Sequence, residues 1–252
     1  MIEAKSERIA ILSDVHGNLT ALETALAHIH SAGIERIFNL GDLVGKGPRS
    51  AAVVDRCREV SEVIVQGNWD AIVASGPDTT QPARQWHRAQ LGDARLDYLA
   101  KLPGSHDFLL SGRLVRLFHA SQLGIHNRVY ETAPRQTHRA MFENTDFTGF
   151  GRAPDIVGCG DIHVAYTINF DGRTLFNAGS VGNPLDMPQI CYAILEGVYG
   201  AEASHPWSLQ FVRLPYDIEA EVAVAEASGM PDMAHYIKEL RTAIYRGRLP
   251  PD

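Results

Sequence analysis

The chain has 252 residues, of which 45% are apolar, and a formal charge of −7. That is enough for a full core in one large domain or two small ones, and the acidic balance argues against nonspecific binding to nucleic acid or an anionic membrane. Cys57, Cys159 and Cys191 lack a Cys-x-x-Cys spacing, no run approaches the roughly 18 apolar residues of a membrane span, and the first strand begins too early to leave room for a secretory signal; together these predict a cytoplasmic protein without disulfides.

In chain order, Ile9–Leu12 reads as a strand buried on both faces, and Asp14 and His16 follow it at once. Gly17 and Asn18 allow a sharp turn. From Leu19 to Ile29 the apolar period becomes helical, with Asn18 as its cap. Gly33 ends that helix. Arg36–Leu40 is a second buried strand closing in Gly41-Asp42, followed by a glycine- and proline-bearing loop to Arg49 and a short helix over 50–59. Val63–Gln66 is a third, closing in Gly67-Asn68-Trp69-Asp70. Three strand–helix units in series argue for α/β layers.

From Ser75 to Pro103 the pattern is helical, opening at Pro77 and Pro82, with Trp86, Leu91, Leu96, Leu99 and Leu102 able to bury one face. The segments 106–110 and 114–118 read as an antiparallel pair turned at Ser111-Gly112, and the second of them delivers His119. Residues 121–152 are irregular and locally basic, with a helix expected over 134–143. Asp155–Cys159 is a further buried strand, closing in Gly160-Asp161-Ile162-His163. Strands follow at 166–170, 173–177, 191–196 and 208–214, then helices at 217–227 and 232–246. The expectation is a single domain over 1–252 with insertions at about 76–104 and 120–152, built as two packed sheets with helices outside.

Asp14, His16, Asp42, Asn68, His119, Asp161 and His163 all stand where an apolar run stops. Open α/β sheets bind ligands at such ends. Each residue alone is an ordinary turn former, but seven together are hard to reconcile with chance. Mixed oxygen and imidazole donors without a thiolate suit manganese, iron or zinc in a reactive centre, and two divalent ions sharing a carboxylate can activate water between them.

The series Asp14-x-His16, Gly41-Asp42, Gly67-Asn68-x-Asp70, His119 and Gly160-x-x-His163 resembles the calcineurin-like metallophosphoesterase superfamily. The wording of Asp14-Val-His-Gly-Asn-Leu-x-Ala-Leu22, Gly41-Asp-Leu-Val-Gly45 and Asn177-Ala-Gly-Ser-Val-Gly182 is similar to its small bacterial and archaeal phosphodiesterase branch. The resemblance implies a four-layer α/β/β/α sandwich of two mixed sheets and a dinuclear centre whose activated hydroxide hydrolyses phosphodiesters or nucleotide-type phosphate esters. It implies a first metal on Asp14, His16, Asp42 and His163, and a second on Asp42, Asn68, His119 and Asp161, with Asp42 bridging. Manganese is the expected ion, with iron, zinc or nickel as alternatives. The same fold leaves two other functions open: a protein or dinucleoside-polyphosphate phosphatase, and a non-catalytic scaffold.

Two positions depart from the family pattern. The family usually has Gly-Asn-His before the acidic residue, and here Trp69 takes the place of that histidine. The family usually ends in Gly-His-x-His, and here Asp161 stands at the first histidine. Among supporting residues, Asp70 is expected to orient His119 or the Asn68 loop. Lys46 and Arg49 are expected to hold phosphate, and Trp69, His126 and Arg128, with Arg135 and Arg139 nearby, to meet the rest of a small nucleotide-like substrate. His87 or His126 could supply a proton in place of the missing histidine. Ser180 and Asn183 read as structural. No membrane and no specific nucleic-acid partner is evident, and a homo-oligomer is left open.

Overall fold

β1 (Glu7–Leu12) alternates its side chains between two cores. Ile9 and Ile11 face a second sheet, while Ala10 and Leu12 face helices. α1 (Leu19–Ser31) covers that helix-facing side with Ala21, Leu22, Ala25, Leu26 and Ile29, and the Asn18 side chain accepts from the Ala21 amide at 2.9 Å as its cap. β2 (Arg36–Asn39), α2 (Ser50–Val60) and β3 (Val63–Ile64) repeat the unit. Each fully buried Ile, Leu or Phe in these layers contributes about 1.5–3 kcal/mol of burial.

This computed structural model describes residues 5–76 and 80–248. Pro77, expected to open the helical insertion, lies outside the described residues. After β3 come α3 (Asn68–Ala74), α4 (Pro82–Ala89) and α5 (Gly92–Ala100). The insertion is therefore two short helices, because the chain passes through a left-handed conformation at Gly92 (φ 68°). α3 follows β3 directly. It starts on the candidate ligand Asn68, with Asp70 in its first turn receiving the Gly67 amide.

β4 (Ser105–Leu110) and β5 (Arg113–Phe118) form the expected hairpin, followed by α6 (Arg135–Ala140), β6 (Ile156–Cys159), β7 (Ala165–Phe170), β8 (Arg173–Ala178), β9 (Ile190–Gly197), β10 (Ser208–Leu214), α7 (Ile218–Ser228) and α8 (Met233–Thr242). The last helix is shorter than the pattern predicted, and Arg246–Arg248 is a separate 3₁₀ turn. α6 is likewise trimmed, to six residues.

The strands form two mixed five-stranded sheets, ordered β10-β9-β1-β2-β3 and β4-β5-β6-β8-β7. β1 is parallel to β2 and antiparallel to β9; β6 is parallel to both β5 and β8. A core of Ile9, Ile11, Phe38, Val115, Ile156 and Phe176, among others, fills the space between the sheets. The helices α1, α2, α3 and α5 cover the first sheet. The second carries a thinner layer from the 120–152 segment, with Val129, Met141 and Phe142 packed against Val157 and Leu175. These are the four layers of an α/β/β/α sandwich. No described helix is long and apolar enough to cross a membrane.

Candidate metal centre

β1 and β6 are the middle strands of their sheets, and each ends in Asp-x-His: Asp14-Val-His16 and Asp161-Ile-His163. Asp42 follows β2, His119 follows β5, and Asn68 opens α3. All seven side chains are buried. Asp14, His16, Asp42, Asp161 and His163 have φ between 49° and 67°, a left-handed region that costs non-glycine residues about 1–3 kcal/mol each and that concentrates at functional sites.

Surrounding bonds hold that strained backbone. The Asp14 amide donates to Gly41 O at 3.0 Å, the His16 amide to Asp42 O at 2.9 Å, and the Asp161 amide to Asp14 Oδ2 at 3.0 Å. The glycines of the motifs belong to the same packing. A Cβ on Gly67 would lie 2.1 Å from Asp42 Oδ1, and one on Gly160 would lie 2.0 Å from Ser13 Oγ. The glycine preceding one candidate ligand is thus demanded by the side chains of another strand end.

Each histidine gives its Nδ1 to a backbone carbonyl: His16 to Val44 at 2.9 Å, His119 to Leu40 at 2.8 Å, His163 to Asn183 at 2.5 Å. A carbonyl only accepts, so Nδ1 carries a hydrogen in each ring, and Nε2 is the ring atom available to a cation. The three Nε2 atoms converge on carboxylates. His163 Nε2 lies 3.3 Å from Asp14 Oδ1, and His16 Nε2 lies 3.8 Å from the same oxygen and 3.5 Å from Asp42 Oδ2. His119 Nε2 lies 3.5 Å from Asp42 Oδ1 and 3.7 Å from Asp161 Oδ1. His16 and His163 bring their Nε2 atoms within 3.1 Å, a contact that two neutral rings of this tautomer cannot make as a hydrogen bond. Asp14 Oδ1 and His119 Nε2 are buried without a hydrogen-bond partner.

Carboxylate oxygens and imidazole nitrogens gathered inside a protein are costly unless a cation, proton or metal, lies among them. The residues therefore fit a divalent metal. Two convergent trios stand among the described residues, Asp14 with His16 and His163, and Asp14 with Asp42 and His119. These trios share Asp14, whereas the sequence reading gave the shared place to Asp42. Asp42 nonetheless spans the site, one oxygen toward His16 and the other toward His119. Asp161 stands outside both trios, and its Oδ1 accepts from Asn68 Nδ2 at 2.7 Å.

Burial, with Lys46 and His163 nearby, holds His16 well below its usual pKa. At His119 burial acts in the same direction but is outweighed by Asp42 and Asp161, which push it well above. Asp14 is held low: burial would raise it, and His163, His119 and His16 together prevail. Opposed shifts among neighbouring buried groups cluster at functional sites.

Of the two partners expected for Asp70, it contacts the Asn68 turn and not His119. Its carboxylate receives the amides of Asp42 (2.8 Å), Leu43 (3.0 Å) and Gly67 (3.0 Å), so it shapes the Asp42 loop and the entry to α3. It does not orient His119, whose Nδ1 is taken by Leu40 O. Burial and the Asp42 charge push Asp70 up to about 7, despite those amides.

A cavity of about 320 Å³ opens onto His16, Asp42, Asp161 and His163, within the range of small-molecule sites. Lys46 lines it, its Nζ donating to Asn183 Oδ1 at 2.7 Å. Trp69 lines it too, edge-on to both His16 and His87, with its ring against Gly45. Arg128 reaches it through Asp161.

Arg49 does not line this cavity. The buried Glu221 of α7 captures its guanidinium, together with Thr20. His126 is exposed and away from the cavity, and Arg135 and Arg139 pair with Asp171 on the surface. His87 does line it, but burial lowers its pKa to about 4, leaving it neutral and poorly suited to donate a proton. Sequence reasoning missed the opposite wall, made by Tyr130 and by Asp232, Tyr245 and Arg246 of the C-terminal segment. Arg246 is fixed there by Glu239 at 2.9 Å and Asp232 at 3.4 Å. No local motif marks it. Asn183, read as structural, also joins Lys46 to His163.

Residues 8–198 match the calcineurin-like phosphoesterase superfamily domain. An uncharacterized protein of Methanocaldococcus jannaschii is 26% identical over 236 residues, covering 84% of this chain and 88% of that one. A symmetrical bis(5'-nucleosyl)-tetraphosphatase of Paracidovorax citrulli is 30% identical over 121 residues, 44% of this chain and 43% of that protein. Among solved structures, a metallophosphoesterase from Sphaerobacter thermophilus superposes with a TM-score of 0.75 at 26% identity, covering 95% of this chain and all of that one.

Proposed function

The chain belongs to the calcineurin-like phosphoesterase superfamily, and we propose that it is a two-metal hydrolase of phosphodiesters or nucleotide-type phosphate esters. The observation that carries this reading is the convergence of the His16, His119 and His163 Nε2 atoms on the Asp14 and Asp42 carboxylates, with Asp14 Oδ1 and His119 Nε2 left unpartnered. Asp14, His16 and His163 would hold one ion, His119 with Asn68 and Asp161 would complete the other, and Asp42 would serve both. Bound divalent ions supply a nucleophilic water at neutral pH and polarise the phosphoryl oxygens.

The protein's own groups do the rest. The left-handed strand ends fix the donors in advance, so little reorganisation is needed when charge develops. Lys46 and Arg128 line the cavity as cations for the phosphate oxygens, Lys46 as a point charge and Arg128 as a fork. Trp69, Tyr130 and Tyr245 offer aromatic surface for the organic part of an ester. That combination favours a small nucleotide-like molecule. The tetraphosphatase relative makes dinucleoside polyphosphates one candidate within the class.

The test begins with metal analysis of the purified protein. Hydrolysis of bis-p-nitrophenyl phosphate and p-nitrophenyl phosphate is then followed with and without added manganese, beside a panel of nucleotides. About two ions per chain and a diester rate lost on chelation are expected. A protein that binds no ion and cleaves neither ester would be a scaffold of this fold.

A further inference from the structure

Arg128 Nε lies 3.2 and 3.0 Å from the two oxygens of Asp161. The Asp161 side chain is 1% exposed and that of Arg128 is 47% exposed, so one end of the pair is inside the cluster and the other reaches water. Asp161 Oδ1 also receives Asn68 Nδ2 at 2.7 Å and sits 3.7 Å from His119 Nε2. Neither Nη group of Arg128 has a hydrogen-bond partner among the described residues, and the side chain lines the same cavity as Lys46 and Trp69.

Asp161 adds a third carboxylate to a cluster that already holds Asp14 and Asp42. Two divalent ions against three carboxylates leave one positive charge. A neutral imidazole at the same position would leave two. The guanidinium stays protonated at any working pH, so Arg128 restores the second charge and does so beside the offending carboxylate.

Resting on the two-metal reading above, we propose that Asp161 and Arg128 work as one neutral unit: Arg128 cancels the charge that Asp161 brings to the metal cluster and presents its free Nη groups to the ester phosphate. Arg128 thereby has two effects of opposite sign. It weakens the hold of Asp161 on a cation, because the carboxylate's charge is shared. It strengthens the hold of the cavity on an anion, because the fork is aimed at phosphate oxygens. A merely structural arginine would move both in the same direction when removed.

The experiment titrates manganese into metal-free protein by calorimetry and measures inhibition by inorganic phosphate and turnover of bis-p-nitrophenyl phosphate on the loaded protein. Arg128→Ala should bind the weaker manganese ion about tenfold more tightly, as expected when a partly exposed counter-charge is removed. Its inhibition constant for phosphate should rise about tenfold, and kcat/KM should fall about 100-fold. Arg128→Lys, which keeps the charge without the fork, should leave manganese affinity near that of the wild type while losing part of the phosphate affinity. In an Asp161→His background, Arg128→Ala should no longer change manganese affinity.

A wild type that takes up no manganese overturns the two-metal reading and this proposal together. A wild type that binds two ions, beside an Arg128→Ala variant whose manganese affinity is unchanged or weaker, overturns this proposal alone.

Discussion

Asp42 meets His16 with one carboxylate oxygen and His119 with the other, at 3.5 Å in each case. The residue is 2% exposed, and Oδ1 also accepts the Trp69 amide at 2.8 Å. One side chain therefore joins the two halves of the cluster and ties the Asn68 turn to both.

Asp42→Asn should consequently lose both ions, since the substitution removes a charge and one oxygen donor while keeping the shape. His119→Ala should chiefly lose one. Metal content after dialysis reads this directly. An Asp42→Asn protein that retains two ions and full activity would show that Asp14, which the two convergent trios share, is the joining carboxylate.

Arg49 offers a test of a different kind. Its loop position suggested a phosphate ligand, yet its guanidinium is paired with Glu221, which is fully buried on α7 and also receives Thr20 Oγ1 at 2.7 Å. Removing the arginine leaves a buried carboxylate short of its counter-charge, a loss of about 2–4 kcal/mol. Arg49→Ala should thus lower the unfolding midpoint clearly while KM for a phosphodiester stays near that of the wild type. A large KM change without a stability change would return Arg49 to the substrate site.

His87 gives a pH signature. Burial holds its pKa at about 4 against an ordinary value of 6.5. Between these values the unfolded chain binds more protons than the folded one, so stability rises with pH there and is lost as pH falls through the window. From neutrality to pH 5 the loss is about 2 kcal/mol. His87→Gln, which cannot titrate, should remove that part of the slope. Denaturant unfolding of both proteins at pH 7 and pH 5 makes the comparison. Parallel losses would mean that His87 is not held neutral.

The contrast between these residues marks what the sequence carried. β1, β2 and β6 were legible because strands buried on both faces are continuous apolar runs, β5 because of the turn at Ser111-Gly112, and the polar residue that follows each is placed by the strand itself. The partners of long side chains were not legible. Arg49 with Glu221, Lys46 with Glu239 at 4.0 Å, and Arg128 with Asp161 are joined by the packing of the C-terminal helices and the 120–152 segment, and nothing local encodes it. The same holds for Asp70. A carboxylate three residues past a glycine signals a helix start, but that it also gathers the amides of Asp42 and Leu43 depends on two strand ends meeting.

Trp69 carries the last prediction. It occupies the position where the family pattern has a histidine, and its ring lies edge-on between His16 and His87, at centroid distances of 6.2 and 5.8 Å. An indole N–H can donate a hydrogen bond but cannot give up its proton at neutral pH. His87, the nearest imidazole behind it, is neutral, and His126 is exposed away from the cavity. No imidazole outside the candidate ligand set is thus poised in the cavity to protonate a departing oxygen, a contribution worth about 10²–10⁴-fold where it exists. Esters of nitrophenol or of a nucleotide phosphate need little of that help, while alkoxides need most of it. The rate should therefore fall steeply across aryl phosphodiesters of rising leaving-group pKa. Trp69→His should flatten the slope, provided the smaller ring still packs on Gly45, which crystallography or metal content of the variant can establish. A flat wild-type series would mean that another group supplies the proton. A steep series that Trp69→His leaves unchanged, in a variant with its metals intact, would mean that Trp69 only packs the wall.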